Sequence, residues 1–246
     1  MKAIIIAAGS GKRISKNFVN TPKSLIPVNG KSIISKQIST FHSFGIEEII
    51  VITGPFNEQF TLSNVQYLHD ENYSKHDILG SLMTAKKFLA DDVIITYSDI
   101  LFENSILEKI LNSNSDIGIT IDLDWKKQYE NRTLHPISEA ENVLLDDSGK
   151  IIQIKKNIQT SNSVIGEFLG IMKLTDKGCK KLLEHYEKNL DRNDVFHDAQ
   201  SINNAYLTDM IQELIESNVE ISPILVSGKW CEIDTIEALE RAEKIF

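Results

Sequence analysis

KAIIIAAGSGKR, residues 2–13, with Pro22-Lys23 following, is the stretch on which the fold of this chain turns. Lys2 to Ala8 is an apolar run of the kind that forms a buried strand, and it leads straight into Gly9-Ser10-Gly11 and two cations, Lys12 and Arg13. Small residues let backbone N–H groups come close to a polyphosphate while the cations offset its charge. The reading is a site for a nucleoside triphosphate. Two commoner phosphate loops do not fit. A P-loop needs a glycine five positions before Gly11 and a Ser or Thr after Lys12, where Ile6 and Arg13 stand. A dinucleotide fingerprint needs a helix that opens on the glycines, yet the next helical pattern begins near Ser32, beyond a polar stretch with Asn17, Asn20 and Pro22.

The order Ala7-Ala8-Gly9-Ser10-Gly11-Lys12-Arg13, then Pro22-Lys23, resembles the small-small-Gly-x-Gly-x-Arg and Pro-Lys signature of nucleotidyltransferases that activate sugar phosphates and related phosphate or phosphonate esters. The resemblance implies an α/β fold: a single-domain, Rossmann-like, GT-A-type nucleotidyltransferase with a mixed, mostly parallel central sheet. One domain would span residues 1–246, with a nucleotide-binding half at 1–120 and an acceptor-binding half at 121–246.

Composition agrees with this class. A chain of 246 residues with 41% apolar content suffices for one ordinary core. The formal charge of −9 argues against nonspecific nucleic-acid or anionic-membrane partners, which attract basic surfaces. The charge is unevenly placed: residues 1–46 carry seven Lys or Arg and no Asp or Glu, as a cationic mouth for an anionic substrate would need. Cys179 and Cys231 show no metal or redox spacing and read as reduced packing residues. With no membrane-length apolar stretch and no signal-peptide pattern, the expected location is the cytoplasm. A homo-oligomer stays open.

Periodicity predicts a helix on Ile33, Ile34, Ile38 and Phe41 stopped by Gly45, and strands at Glu48–Thr53, Val65–Leu68 and Val93–Tyr97. Asp77 is placed to cap a helix carrying Ile78, Leu82, Met83 and Leu89. Further on, a hairpin is expected around Asp147-Ser148-Gly149, strands at Phe168–Leu174 and Ile221–Val226, helices at Asp176–Asn189 and Tyr206–Ser217, and a last helix capped by Thr235. In a mostly parallel sheet ligands collect at the carboxyl ends of strands, where the glycine loop and Ser98-Asp99 fall.

Joining a phosphate or phosphonate oxyanion to the α-phosphorus of a triphosphate needs no general base, since the second ionisation of such groups lies near ~6. The obstacle is repulsion between anions, so the site should offer cations and a metal held by carboxylates. Asp99, at a strand end, and Asp234, far along the chain, are the candidate ligands of Mg2+, which prefers oxygen donors. The resemblance supports both: family members carry the metal aspartates in Asp-x-x-Phe-like and Ile-Asp-Thr-like stretches, matched by Asp99-Ile100-Leu101-Phe102 and Ile233-Asp234-Thr235. The expected catalytic set is Lys23, Arg13, Asp99 and Asp234, with Lys23 at the α-phosphate or acceptor and Arg13 and Lys12 at the departing β and γ oxygens. Ala7, Ala8, Gly9, Ser10, Gly11, Lys12 and Arg13 would bind the nucleotide, with Gly54 and Ser81 framing base and ribose.

Past Asp99 the chain departs from sugar-phosphate members, which carry a Glu-Lys-Pro-like turn not found here. Asp122-Leu123-Asp124-Trp125, the segment Tyr129 to Glu141 and Gly166-Glu167-Phe168-Leu169-Gly170 look like cytidylyltransferases that activate small phosphonates or phosphocholine. The resemblance implies CTP as donor and a 2-aminoethylphosphonate-like or phosphocholine-like acceptor, with release of pyrophosphate. Lys23, Arg132, His135 and Glu167 are the expected acceptor contacts: Arg132 can hold a phosphonate bidentately, His135 adds a donor, and Asp122, Asp124 or Glu167 can receive an ammonium beside a Trp125 or Tyr129 ring. Glu139 and Glu141 read as a solvated face. The rival readings are a uridylyl- or thymidylyltransferase for a sugar 1-phosphate and a catalytically silent nucleotide-sensing module. A nicotinamide oxidoreductase lacks its acidic ribose partner at the right distance.

Overall fold

The computed structural model of the chain describes residues 1–9, 14, 18–130, 132–160, 163–192 and 194–246. The first half alternates strand and helix: β1 (Lys2–Ala7), the short pair β2 (Pro27–Val28) and β3 (Lys31–Ser32), α1 (Ile33–Ser43), β4 (Glu48–Thr53), β5 (Gln66–His69), α2 (Ile78–Thr84), β6 (Val93–Tyr97), β7 (Ile100–Phe102) and α3 (Asn104–Leu111). The second half holds β8 (Ile117–Asp122), β9 (Glu141–Leu145), β10 (Ile151–Lys156), β11 (Val164–Leu174), α4 (Asp176–Asn189), α5 (Leu207–Glu216), β12 (Ser222–Val226), β13 (Trp230–Glu232) and α6 (Ile236–Ile245).

The central sheet runs β10-β9-β11-β6-β1-β4-β5, with β8 on β11 and β12 on β8. β1 is parallel to β4 and β6, β5 to β4 and β12 to β8. β11 is antiparallel to β6, β8 and β9, and β10 to β9. Only β10 and β11 among these described strands therefore run against the rest, which is the expected mixed, mostly parallel α/β sheet.

Side-chain alternation explains why these strands are buried on both faces. Ile4, Ile6, Ile50 and Ile52 enter one core with residues of α2, α4 and α5 such as Leu82, Leu182 and Met210. Ala3, Ile5, Ile49 and Val51 enter another with Ile38 and Phe41 of α1 and Ile106 and Ile110 of α3. Each isoleucine so buried contributes about 1.5–3 kcal/mol relative to exposure. Ser32 caps α1 by accepting from Ser35 N at 3.3 Å, and the buried stripe Ile33, Ile34, Gln37, Ile38 and Phe41 keeps helical spacing. A third core joins Ile26, Val28, Leu101, Cys231 and Ile233 to Ala238 and Leu239 of α6. It ties three remote segments to one another.

β11 organises the site. Its residues 172–174 pair with both β6 and β8, and Glu167 pairs with both β9 and β8, so β6 and β9 follow one another along the same edge. Between them Phe168, Leu169 and Gly170 have no partner strand on that edge, and the sheet opens. Gly170 sits at φ +69°, where a Cβ would also meet the Tyr97 ring at 2.3 Å, so glycine is required.

The expected elements differ in detail. Asp77 stands at the N-cap of α2 but makes no side-chain cap hydrogen bond, and α2 ends at Thr84. The continuation toward Leu89 tightens into a 3-10 turn at Lys86–Phe88, as a helix of this length does when its packing face runs out. Among the described residues no helix is long and apolar enough to cross a membrane.

Candidate active site

The carboxyl end of β6 is held from both sides. Ser98 N donates to Ile6 O at 3.3 Å, and the buried Gln37 of α1 donates through Nε2 to the carbonyls of Tyr97 (2.8 Å) and Ile100 (2.7 Å). β7 then pairs antiparallel with β13, Ile100 opposite Glu232, and Ile233 N donates to Asp99 O at 2.9 Å. This ribbon brings Asp99 and Asp234 to one place despite their separation in sequence.

Lys23 opens a 3-10 turn after Pro22 and is 8% exposed. Its ammonium donates to Asp99 Oδ2 at 2.5 Å and to Asp234 Oδ1. His135, also buried, places Nδ1 3.5 Å from Asp234 Oδ2 and Nε2 3.8 Å from Glu232 Oε2. Asp99 Oδ1 is buried with no hydrogen-bond partner among the described residues. An orphaned carboxylate oxygen beside a second aspartate is a donor set that fits a divalent ion with hard oxygen ligands. His135, Glu232 and Asp234 also converge, with one potential ligand atom each within 4.8 Å of the others.

These groups lie on a cavity of about 580 Å³. The part of the wall drawn from the first half of the chain includes Ala8, Gly9, Pro55, Phe56, His76 and Ser81. Ser81 Oγ donates to Asp70 Oδ2 at 2.8 Å, and His76 Nε2 lies 3.2 Å from Asp70 Oδ1, so one fully buried carboxylate fixes both side chains. Gly54 lets the end of β4 touch the end of β1, since a Cβ there would sit 2.4 Å from Ala8 O.

Another part of the wall lies where the sheet opens. Glu141, Glu167, Glu232, Tyr97 and Phe168 contribute to that wall. Tyr97 Oη donates to Glu141 Oε2 at 3.5 Å, and Tyr129 donates to Glu167 Oε1. Burial and the neighbouring Glu232 carboxylate push Glu141 up to about 8. Burial, with repulsion from Glu232 and Glu141, holds Glu167 well above the usual carboxylate range. The same forces raise the Tyr97 and Tyr129 hydroxyls.

Of the residues the sequence singles out, Lys23, Asp99, Asp234, His135 and Glu167 share this cavity with Ala8, Gly9 and Ser81. Ala7 is packed into the core beneath it, and Gly54 supports Ala8 from behind. Ser10, Gly11, Lys12 and Arg13 lie outside the described residues. Arg132 is not on the cavity wall: its guanidinium carbon sits 5.2 Å from the Tyr129 ring centre, and Nε and Nη2 are buried without hydrogen-bond partners among the described residues. Trp125 is a packing residue whose Nε1 donates to Ile165 O at 3.0 Å. Asp122 accepts from Trp230 Nε1 at 2.8 Å, while Asp124 is exposed beside Lys127. The solvated face expected at Glu139 and Glu141 holds for Glu139, which is exposed at the cavity rim and paired with Lys156 at 2.8 Å. It is corrected at Glu141, which is half-buried on the cavity wall because β9 starts where the sheet opens. Glu232 carried no assigned role in the sequence; it ends the three-residue strand β13, and the chain beyond it brings Asp234 and Glu232 together with His135.

Comparison with known proteins gives these features a family. A model of the MobA-like NTP transferase domain matches residues 3–149. The CTP:phosphoglutamine cytidylyltransferase of Campylobacter jejuni is 30% identical over 253 residues, covering 98% of each chain. The choline-phosphate cytidylyltransferase of Streptococcus pneumoniae is 36% identical over 117 residues, which are 46% of this chain and 51% of that one. The solved CTP:phosphocholine cytidylyltransferase of Streptococcus pneumoniae superposes with a TM-score of 0.74 at 23% identity, over 99% of this chain and 98% of the other, a likeness of fold.

Proposed function

The chain belongs to the MobA-like NTP transferase domain family, and from that premise we propose that this nucleotidyltransferase moves CMP from CTP to a small phosphate or phosphonate ester, releasing pyrophosphate. The observation that carries the reading is the convergence of Asp99 and Asp234 on the Lys23 ammonium at the carboxyl end of β6. Three charged groups drawn from remote segments and held in a cavity are what an anion–anion condensation requires.

In the proposed reaction an oxygen of the acceptor's ionised phosphoryl or phosphonyl group attacks the α-phosphorus, and the bond to the bridging oxygen of pyrophosphate breaks. Lys23 neutralises charge shared by the α-phosphate and the acceptor and keeps the two in line. Asp99 and Asp234 would hold Mg2+, which supplies charge neutralisation at the triphosphate and polarises the α-phosphate. Arg13 and Lys12 are assigned to the departing phosphates. Ala8, Gly9 and Ser81 line the nucleotide end, where residues 1–120 would bind the donor. His135 and Glu167 serve the acceptor end within residues 121–246. The C. jejuni and S. pneumoniae relatives support cytidine as the base, since both are named as cytidylyltransferases.

A test pairs CTP, UTP, dTTP, ATP and GTP with 2-aminoethylphosphonate, phosphoethanolamine, phosphocholine and sugar 1-phosphates, with pyrophosphate as readout. Turnover with CTP and a small ester is the expected result. Activity confined to UTP or dTTP with a sugar 1-phosphate would overturn it, and triphosphate binding without turnover would indicate a sensing module.

A further inference from the structure

We propose that the acceptor carries, at the end remote from phosphorus, an ammonium that still bears N–H, received by Glu167, and that the site discriminates against a fully methylated ammonium. The inference rests on the acceptor-binding role proposed above and names the chemistry of that end. Glu167 is 3% exposed and lies on the cavity wall. One carboxylate oxygen accepts from Tyr129, while Oε2 is buried and has no hydrogen-bond partner among the described residues. A buried acceptor left unmade is costly, and a ligand that donates to it recovers that cost.

Charge at this end selects a cation. Glu141 and Glu232 share the wall with Glu167, and the nearby Lys156 is paired with Glu139. An anionic tail would meet acidic groups on every side, whereas an ammonium favours the ionised forms of Glu141 and Glu167, which burial otherwise disfavours.

Hydrogen-bond chemistry then selects among cations. A quaternary ammonium has no N–H and leaves Oε2 unsatisfied; its usual receptor is a set of open aromatic faces. The two rings that hydrogen-bond these carboxylates, Tyr129 and Tyr97, are committed elsewhere. The Tyr129 ring has the Arg132 guanidinium carbon 5.2 Å from its centre, and Trp125 and His135 lie at 5.7 and 5.8 Å. Tyr97 packs closely over Gly170 and meets Phe168 edge-on, centroids 6.2 Å apart at 73°. A donor to Glu167 is therefore better matched than a bulky trimethylated cation.

The test measures kcat/KM with CTP for phosphoethanolamine, its N-methyl, N,N-dimethyl and N,N,N-trimethyl derivatives, and ethyl phosphate. The expected result is a fall of at least about tenfold on the step that removes the last N–H, consistent with loss of one charge-assisted hydrogen bond, and poorer use still of ethyl phosphate. Glu167→Gln should raise KM for the N–H-bearing acceptors about tenfold or more, leave KM for CTP unchanged and flatten the methylation series. Equal use of the trimethyl compound or of ethyl phosphate, a uniform loss in Glu167→Gln, or no turnover across the whole series would overturn the inference. The same dependence on N–H seen with UTP but not CTP would sustain it while overturning the cytidylyl reading.

Discussion

Lys23 lies between two carboxylates and so acts as an internal counter-ion at the centre of the cavity. Asp99→Asn and Asp234→Asn each remove one of these charges, and steady-state kinetics are expected to show kcat lower by about 100-fold or more, the scale of losing a main electrostatic stabiliser, with an unchanged near-ultraviolet circular dichroism spectrum. Glu141 gives a second expectation. Its folded-state value of about 8 lies above the ordinary 4.5, so between those values the native protein holds a proton that the unfolded chain releases. Stability should therefore decline as pH rises through that interval and level off above it. Glu141→Gln should flatten its share of the decline in a series of melting temperatures from pH 5 to 9. The sequence identified Lys23, Asp99 and Asp234 because each sits beside a recognisable turn or strand end. Glu141 escaped because one carboxylate in Ser138-Glu139-Ala140-Glu141 looks like another until the fold places it, half-buried, on the cavity wall beside Tyr97.

Short elements decide how those residues meet. The ribbon of β7 with β13 is three residues long on each side, too brief to show a period, and neither strand was legible in the sequence; β8 and α3 also went unread. The long apolar strands β1, β4 and β6, and α1 with its Ser32 cap, were legible because their patterns persist over whole faces. Gln37 shows how helix and ribbon are coupled. Gln37→Leu leaves the Ile100 carbonyl buried and unpaired, at about 1–3 kcal/mol, and leaves the Tyr97 carbonyl with Thr96 Oγ1 at 3.0 Å as its remaining side-chain donor. With roughly 2–4 °C per kcal/mol at this chain length, the melting temperature should fall by several degrees. Turnover should fall with it, because the turn carrying Asp99 loses its support. An unchanged melting curve would show that water or a neighbour replaces the amide.

Over the molecule as a whole, ligand and metal should appear as stability. CTP with Mg2+ should raise the melting temperature by about 2.7 kcal/mol worth of stabilisation at a hundredfold excess over Kd. The Mg2+-dependent part should vanish in Asp99→Asn and on chelation. Architecture was legible at this scale because the alternation of buried strands and helices specifies the sheet, whereas the order of β8 to β12 depends on pairings that no local pattern encodes. β11 has one consequence that only the complete fold reveals. One strand supports β6 on one side of the opening and β9 on the other, with Phe168, Leu169 and Gly170 between, and it bulges there: Phe168 faces Ile121 and Met172 faces Ile119, so four steps of β11 run beside two of β8. The surplus bends the strand at Gly170, φ +69°. The width of the gap between β6 and β9 therefore depends on a bulge, and deleting the two surplus residues should close it.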